Sequence, residues 1–206
     1  MAPTRVYMVR HGEVHNPRRI LYGRLPRFRL SDNGRRQAAE TARYFSDKPI
    51  EAVFSSPMLR ARQTALAILK FHPGLKLHIS RRINEVNTAC EGMPSVQIDR
   101  RDGDIYTGQD ACYEQPDDLF RRTAAFLLMA RLNHPGGQVV AVTHGDVVTF
   151  SVLWAKGWPL IPKNKTRLRQ AGFPTGYPAH ASVTTLIFQT ADDDERPEVD
   201  YVQPWK

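Results

Sequence analysis

Two histidines in this 206-residue sequence stand in matching surroundings. Arg10-His11-Gly12 follows the apolar run Val6-Tyr7-Met8-Val9, and Thr143-His144-Gly145 follows Val139-Val140-Ala141-Val142. Each run is short and rich in β-branched residues, the pattern of a parallel strand buried on both faces. Ligands in open α/β sheets gather beyond the carboxyl ends of such strands. Both imidazoles are therefore expected at one sheet edge, with the Arg10 guanidinium beside His11. The chemistry this set offers is the binding of an anionic group.

Arg60 belongs to the same argument. Ser55-Ser56-Pro57 offers a capping serine with proline at the first helical position, directly after a short strand at 51–54. Arg60 then falls in the first turn of a helix, where free N–H groups and the macrodipole already favour anions. A solvated surface arginine is the alternative, and it suits Arg43 or Arg62; position separates Arg60 from them. Glu85 follows a third strand at 75–79. Glu13, Glu91 and Asp146 are further carboxyl groups near the histidines. A metal is not expected: there is no His-x-x-x-His or equivalent cluster, and Arg10 would repel a cation.

The elements that must position these residues alternate along the chain. Ser31-Asp32-Asn33-Gly34 offers caps for a helix with Ala38, Ala42 and Phe45 on one face, ended by Pro49. A second helix carries Met58, Ala61, Ala65, Ile68 and Leu69. Residues 86–115 have poor periodicity and read as a cap-like excursion that shapes a pocket. Pro116, Asp117 and Asp118 open an amphipathic helix through Ala130, and another helix starts near Asp146. Residues 167–178 read as a basic connection, 181–188 as a strand and 198–202 as an edge strand, with the acidic 192–195 as a solvated turn between them. This alternation predicts a single α/β domain over 1–206, a three-layer α/β/α sandwich around a mostly parallel central sheet.

Composition narrows the setting. Hydrophobic residues make up 41% of the chain, enough for a sizeable core. The net charge is +8, and residues 1–70 hold 14 Lys and Arg against 5 Asp and Glu. That field favours anionic partners, phosphorylated metabolites and nucleic acid alike. The basic run at 18–29 has only Tyr22 and Phe28 as stacking aromatics, so a nucleic-acid partner is not expected. Cys90 and Cys112 fit no disulfide framework or metal spacing and read as free thiols. No apolar stretch is long enough for a bilayer, and no signal core precedes the first strand. The expectation is a cytoplasmic protein with no membrane partner, and a homodimer is left open.

The ordered set Arg10-His11-Gly12, Ser56-Pro57-x-x-Arg60-x-x-Gln63-Thr64-Ala65, Glu85 and His144-Gly145 resembles the histidine phosphatase superfamily, the fold of phosphoglycerate mutases and many small phosphatases. The resemblance implies that His11 is the nucleophile that becomes phosphohistidine. Arg10, Arg60 and His144 would complete the phosphate pocket with the Gly145 backbone, and Glu85 would be the proton donor to the leaving oxygen, ahead of Asp146 in reserve and of Glu13 and Glu91. Asn16, Gly23 and Arg24 would bind substrate, Asn16 only with a one-residue slip from the family's pocket asparagine. No cofactor is implied. Val14 stands where phosphatases of the family often carry Ser or Thr. Glu85-Val86-Asn87-Thr88-Ala89 replaces the mutases' acid followed by Arg-x-x-Gly, which argues for a metal-independent phosphomonoesterase over mutase-type phosphoryl transfer. A non-catalytic anion- or nucleic-acid-binding module is the remaining alternative. Arg24, Arg27 and Arg29 suggest a small phosphorylated substrate with a second anionic group.

Overall fold

Along the first strand, β1 (Thr4–Arg10), successive side chains enter two different cores. Val6 and Met8 join one buried cluster, and Tyr7 and Val9 join the other. That is what period-two side chains do when helices cover both faces of a sheet. The computed structural model describes residues 2–190, 192 and 194–205. Its sheet also contains β2 (Ile50–Ser55), β3 (Leu77–Ile79), β4 (Gln138–Thr143), β5 (Val183–Phe188) and β6 (Glu198–Val202), in the order β3-β2-β4-β1-β5-β6. The first four strands are mutually parallel; β5 and β6 add antiparallel neighbours.

One face of the sheet is covered by α1 (Asp32–Tyr44) and α2 (Leu59–Leu69), through Ala42, Ala61, Ala65 and Ile68. The other is covered by α4 (Pro116–Asn133) and α5 (Gly145–Ala155), through Leu119, Phe126, Val148 and Leu153. The fold is thus a three-layer α/β/α sandwich around a mostly parallel sheet. Residues 86–115 hold only the short α3 (Ser95–Asp99) and otherwise run as turns. Among the described residues no helix is long and apolar enough to cross a membrane.

Several boundaries differ from the sequence reading. The second helix begins at Leu59, with Met58 at its N-cap and no side-chain cap. Ser56 Oγ still accepts from the Met58 N–H at 3.3 Å, just ahead of the helix, while its hydroxyl also meets Asn84 and His144. The third strand is three residues long, and α1 stops at Tyr44, ahead of Pro49. A 3-10 segment, Pro162–Ala171, starts ahead of the basic connection and runs into it, and its polar sequence has no apolar period to announce it. Asp193, in the acidic turn, lies outside the described residues.

Candidate active site

The register of β1 against β4 pairs Arg10 with Thr143, so the two chains leave the sheet side by side. The N–H of His11 donates to the Thr143 carbonyl at 3.0 Å, and the two imidazole centroids are 5.3 Å apart. From β2, the Ser56 N–H donates to the Val142 carbonyl at 2.9 Å, which brings the start of α2 to the same edge. The loop after His11 lies directly on α1. A Cβ on Gly12 would sit 2.5 Å from the Gly34 carbonyl oxygen, and one on Gly34 would sit 2.0 Å from that of Glu13. Only a pair of glycines permits that approach. Above the edge opens a cavity of about 620 Å³ lined by Arg10, His11, Glu85 and Gly145.

His11 is buried and oriented. Its Nδ1 lies 2.8 Å from the Gly12 carbonyl oxygen, which fixes the proton on Nδ1 and leaves a lone pair on Nε2. Burial pushes this imidazole well below its usual pKa, and Arg60 and His144 push the same way. A neutral ring with one bare nitrogen is the form a nucleophile needs.

Arg60, 1% exposed, joins the whole group. Its Nε donates to His11 Nε2 at 3.1 Å, and its Nη2 donates to the Gly23 carbonyl at 2.8 Å. The same Nη2 is 3.3 Å from both Glu85 Oε2 and His144 Nδ1. The Tyr22 ring packs under the guanidinium at 4.6 Å and stacks on Phe28. The side-chain ligand atoms of His11, Glu85 and His144 come within 4.8 Å of one another, a spacing a metal ion could use. Here the guanidinium bridges all three, and a cation would have to displace it. The trio is built around a fixed positive charge that suits an anion.

Glu85 faces His144 across this charge. Its Oε2 lies 3.2 Å from His144 Nδ1, an attractive contact with a proton between them. Burial pushes the Glu85 carboxyl up, but His144, Arg60 and the Val86 N–H outweigh it and hold the group well below the usual range. Burial brings His144 down to about 4 against the pull of Glu85. On the far side of the ring, Ser56 Oγ sits between His144 Nε2 at 2.7 Å and Asn84 Oδ1 at 3.0 Å. Neither Ser56 nor Asn84 carries a local sequence signal for this role.

Arg10 reaches the cavity from the other side. Its Nη1 donates to the Pro178 carbonyl at 2.6 Å, and its Nε is buried without a protein partner. Such a donor is costly to leave unmet, and an oxyanion in the cavity would meet it. Gly145 opens α5, whose first N–H groups lack intrahelical partners. A Cβ there would meet the Tyr177 hydroxyl at 2.1 Å. That hydroxyl donates to Asp146 Oδ1 at 2.8 Å, while Tyr106 (2.6 Å) and Lys165 (2.8 Å) donate to Oδ2. Asp146 is thereby saturated with donors and spans the cavity wall.

The remaining predicted residues divide clearly. Asn16 and Gly23 line the cavity, Asn16 with its side chain bonded to both backbone groups of Ile20. Arg24 does not line it: its guanidinium donates to Glu114 and to the Glu85 carbonyl. Arg27 and Arg29 are exposed and also away from the lining. Glu13 accepts from Ser31 and Asn33 at the start of α1, and Glu91 accepts from the Arg24 N–H. His15 is exposed, but His180 lines the cavity 5.8 Å from His11 and is pushed down to about 2 by burial and by Arg10 and Arg60. Tyr22, Tyr177 and Lys165 complete the wall, and sequence spacing gave no sign of them.

Known proteins share this arrangement of strands and helices. The family model described as histidine phosphatase superfamily (branch 1) matches residues 6–174. Uncharacterized protein Rv0525 of Mycobacterium tuberculosis (strain ATCC 25618 / H37Rv) is 35% identical, covering 98% of this chain and 96% of that protein. Uncharacterized phosphatase PhoE of Bacillus subtilis (strain 168) is 30% identical over 70% of this chain and 74% of its own. Among solved structures, mycobacterial glucosyl-3-phosphoglycerate phosphatase Rv2419c superposes with a TM-score of 0.76 at 23% identity, covering 97% of each chain. That likeness speaks for the fold. The sequence match over most of its length places this chain in the histidine phosphatase superfamily, branch 1, as a phosphatase.

Proposed function

We propose that the protein hydrolyses monophosphate esters of small metabolites through a phosphohistidine on His11, without a metal ion. The observation that carries this reading is the pairing of the bare His11 Nε2 with the Arg60 guanidinium, which also reaches Glu85 and His144. An incoming phosphoryl group draws Arg60 Nε off the His11 lone pair and onto its own oxygens. Arg10, His144 and the N–H groups opening α5 hold the rest of the charge as it develops. His11 Nε2 then forms a bond to phosphorus while the ester oxygen leaves.

The leaving oxygen needs a proton, and Glu85 is the carboxyl group in place to give it. In the free protein it is ionised. A phosphoryl dianion beside it adds a like charge, raises its proton affinity and lets it load a proton. Water next attacks the phosphohistidine, with Glu85 as the base that accepts its proton. The positive field of the amino-terminal third then serves to steer a charged ester towards the edge. Cys90 and Cys112 are both unpaired, which suits a reducing, cytoplasmic setting.

The test is hydrolysis of 4-nitrophenyl phosphate in the presence of a chelator. The wild-type protein should turn it over and vanadate should inhibit, while His11→Ala should lose roughly a thousandfold or more in kcat. Turnover by that variant at the wild-type rate would reject the reading.

A further inference from the structure

We propose that the alcohol half of the substrate is uncharged and partly apolar, and that an ester carrying a second anionic group is selected against. The inference rests on the phosphomonoesterase reading above and extends it to substrate class. It departs from the sequence-level expectation of a second anion held by Arg24, Arg27 and Arg29.

At about 620 Å³, the cavity extends well beyond a phosphoryl group. Past the phosphate corner, its lining includes the apolar Ile20, Leu21, Val86, Ile98 and Ile105 beside the uncharged Thr88, Ser95, Thr166 and Thr175. The charges in that lobe are arranged against an anion. Asp99 and Asp102 also line the cavity, and both are exposed. Lys165 is the only ammonium among the lining residues. It is committed, with its Nζ donating to Asp146 at 2.8 Å and to the Gly103 carbonyl at 3.2 Å, over the Tyr106 ring at 5.0 Å. Arg10 and His180 belong to the phosphate corner, and Arg24 points away towards Glu114. A carboxylate or second phosphate in the lobe would give up water, find no uncommitted cation among the described lining residues, and face two aspartates. An unpaired anion in a partly dry site is penalised, and like charge placed against a competitor is a common route to specificity.

Benzyl phosphate and 4-carboxybenzyl phosphate test this, because the two esters differ by one remote charge. For the wild-type protein, kcat/KM should favour benzyl phosphate by roughly tenfold or more, mostly through KM. The ratio should narrow in the Asp99→Asn/Asp102→Asn double variant. Equal or better turnover of the carboxylated ester by the wild-type protein overturns the proposal. A ratio that stays put in the double variant overturns the part given to the aspartates. Failure of the wild-type protein to hydrolyse either ester or 4-nitrophenyl phosphate overturns the underlying phosphomonoesterase reading instead.

Discussion

His11 is held in one tautomer by a single carbonyl, and that contact decides which nitrogen meets the substrate. Glu85 is held by opposite means: its carboxylate is surrounded by Arg60, His144 and the Val86 N–H, which favour its charged form. Replacing it with glutamine removes the transferable proton but keeps the shape. Glu85→Gln should therefore lower kcat/KM for alkyl phosphates by about 10²- to 10⁴-fold. It should lower it far less for 4-nitrophenyl phosphate, whose leaving phenolate needs no proton. Steady-state kinetics on the two substrates would show the split, and equal losses would assign Glu85 a structural part only. His11, His144 and Arg60 were legible because each stands at the end of a strand or the start of a helix, where local pattern implies position. Arg24 was not legible, since the Glu114 that claims its guanidinium lies 90 positions away. The local bond of Ser56 to the Met58 N–H was legible, but its contact with His144 was not, because that ring arrives from a different strand.

At the scale of elements, Asp146 ties the start of α5 to the excursion and to the 3-10 segment Pro162–Ala171. Tyr106 comes from the first of these connections and Lys165 from the second. Side chains of Lys165 and Asp146 are 9% and 6% exposed, so the pair is almost dry. Asp146→Ala would strand the ammonium and two tyrosine hydroxyls. The expected loss is about 3–5 kcal/mol, as for other buried pairs broken on one side. For a chain of this size that lowers Tm by about 10 °C, measurable by calorimetry, and Asp146→Asn should cost less. An unchanged Tm would remove the cluster from the account. The strands were readable from their β-branched runs, and the four covering helices from their apolar residues. The 3-10 segment was not, because Lys165 looks like any surface lysine until Asp146 is placed opposite it.

Taken whole, the molecule gathers three histidines at one sheet edge, with His11 and His144 buried and His180 half-buried. All three are depressed, His144 to about 4 and His180 to about 2, mainly because burial disfavours their charged forms. An unfolded chain takes up those protons near pH 6.5, while the folded one does not. Below that pH the unfolded state binds more protons, so stability falls as pH falls. The depressed Glu85 acts in the same direction at lower pH. Urea titrations from pH 7 to pH 4.5 should show a slope of about two protons or more from His11 and His144, and stability flat across that window would contradict the burial of neutral imidazoles. That these residues meet at one edge was legible from two matching strand ends; which wall the excursion would build was not, since residues 86–115 carry no period. The most direct measurement is a rapid alkaline quench during turnover of a phosphate ester, followed by mass spectrometry of the peptide containing His11. The account predicts an acid-labile, alkali-stable phosphoryl group on His11 that forms and decays within a turnover. Full hydrolysis with no phosphoryl group on that residue would contradict it.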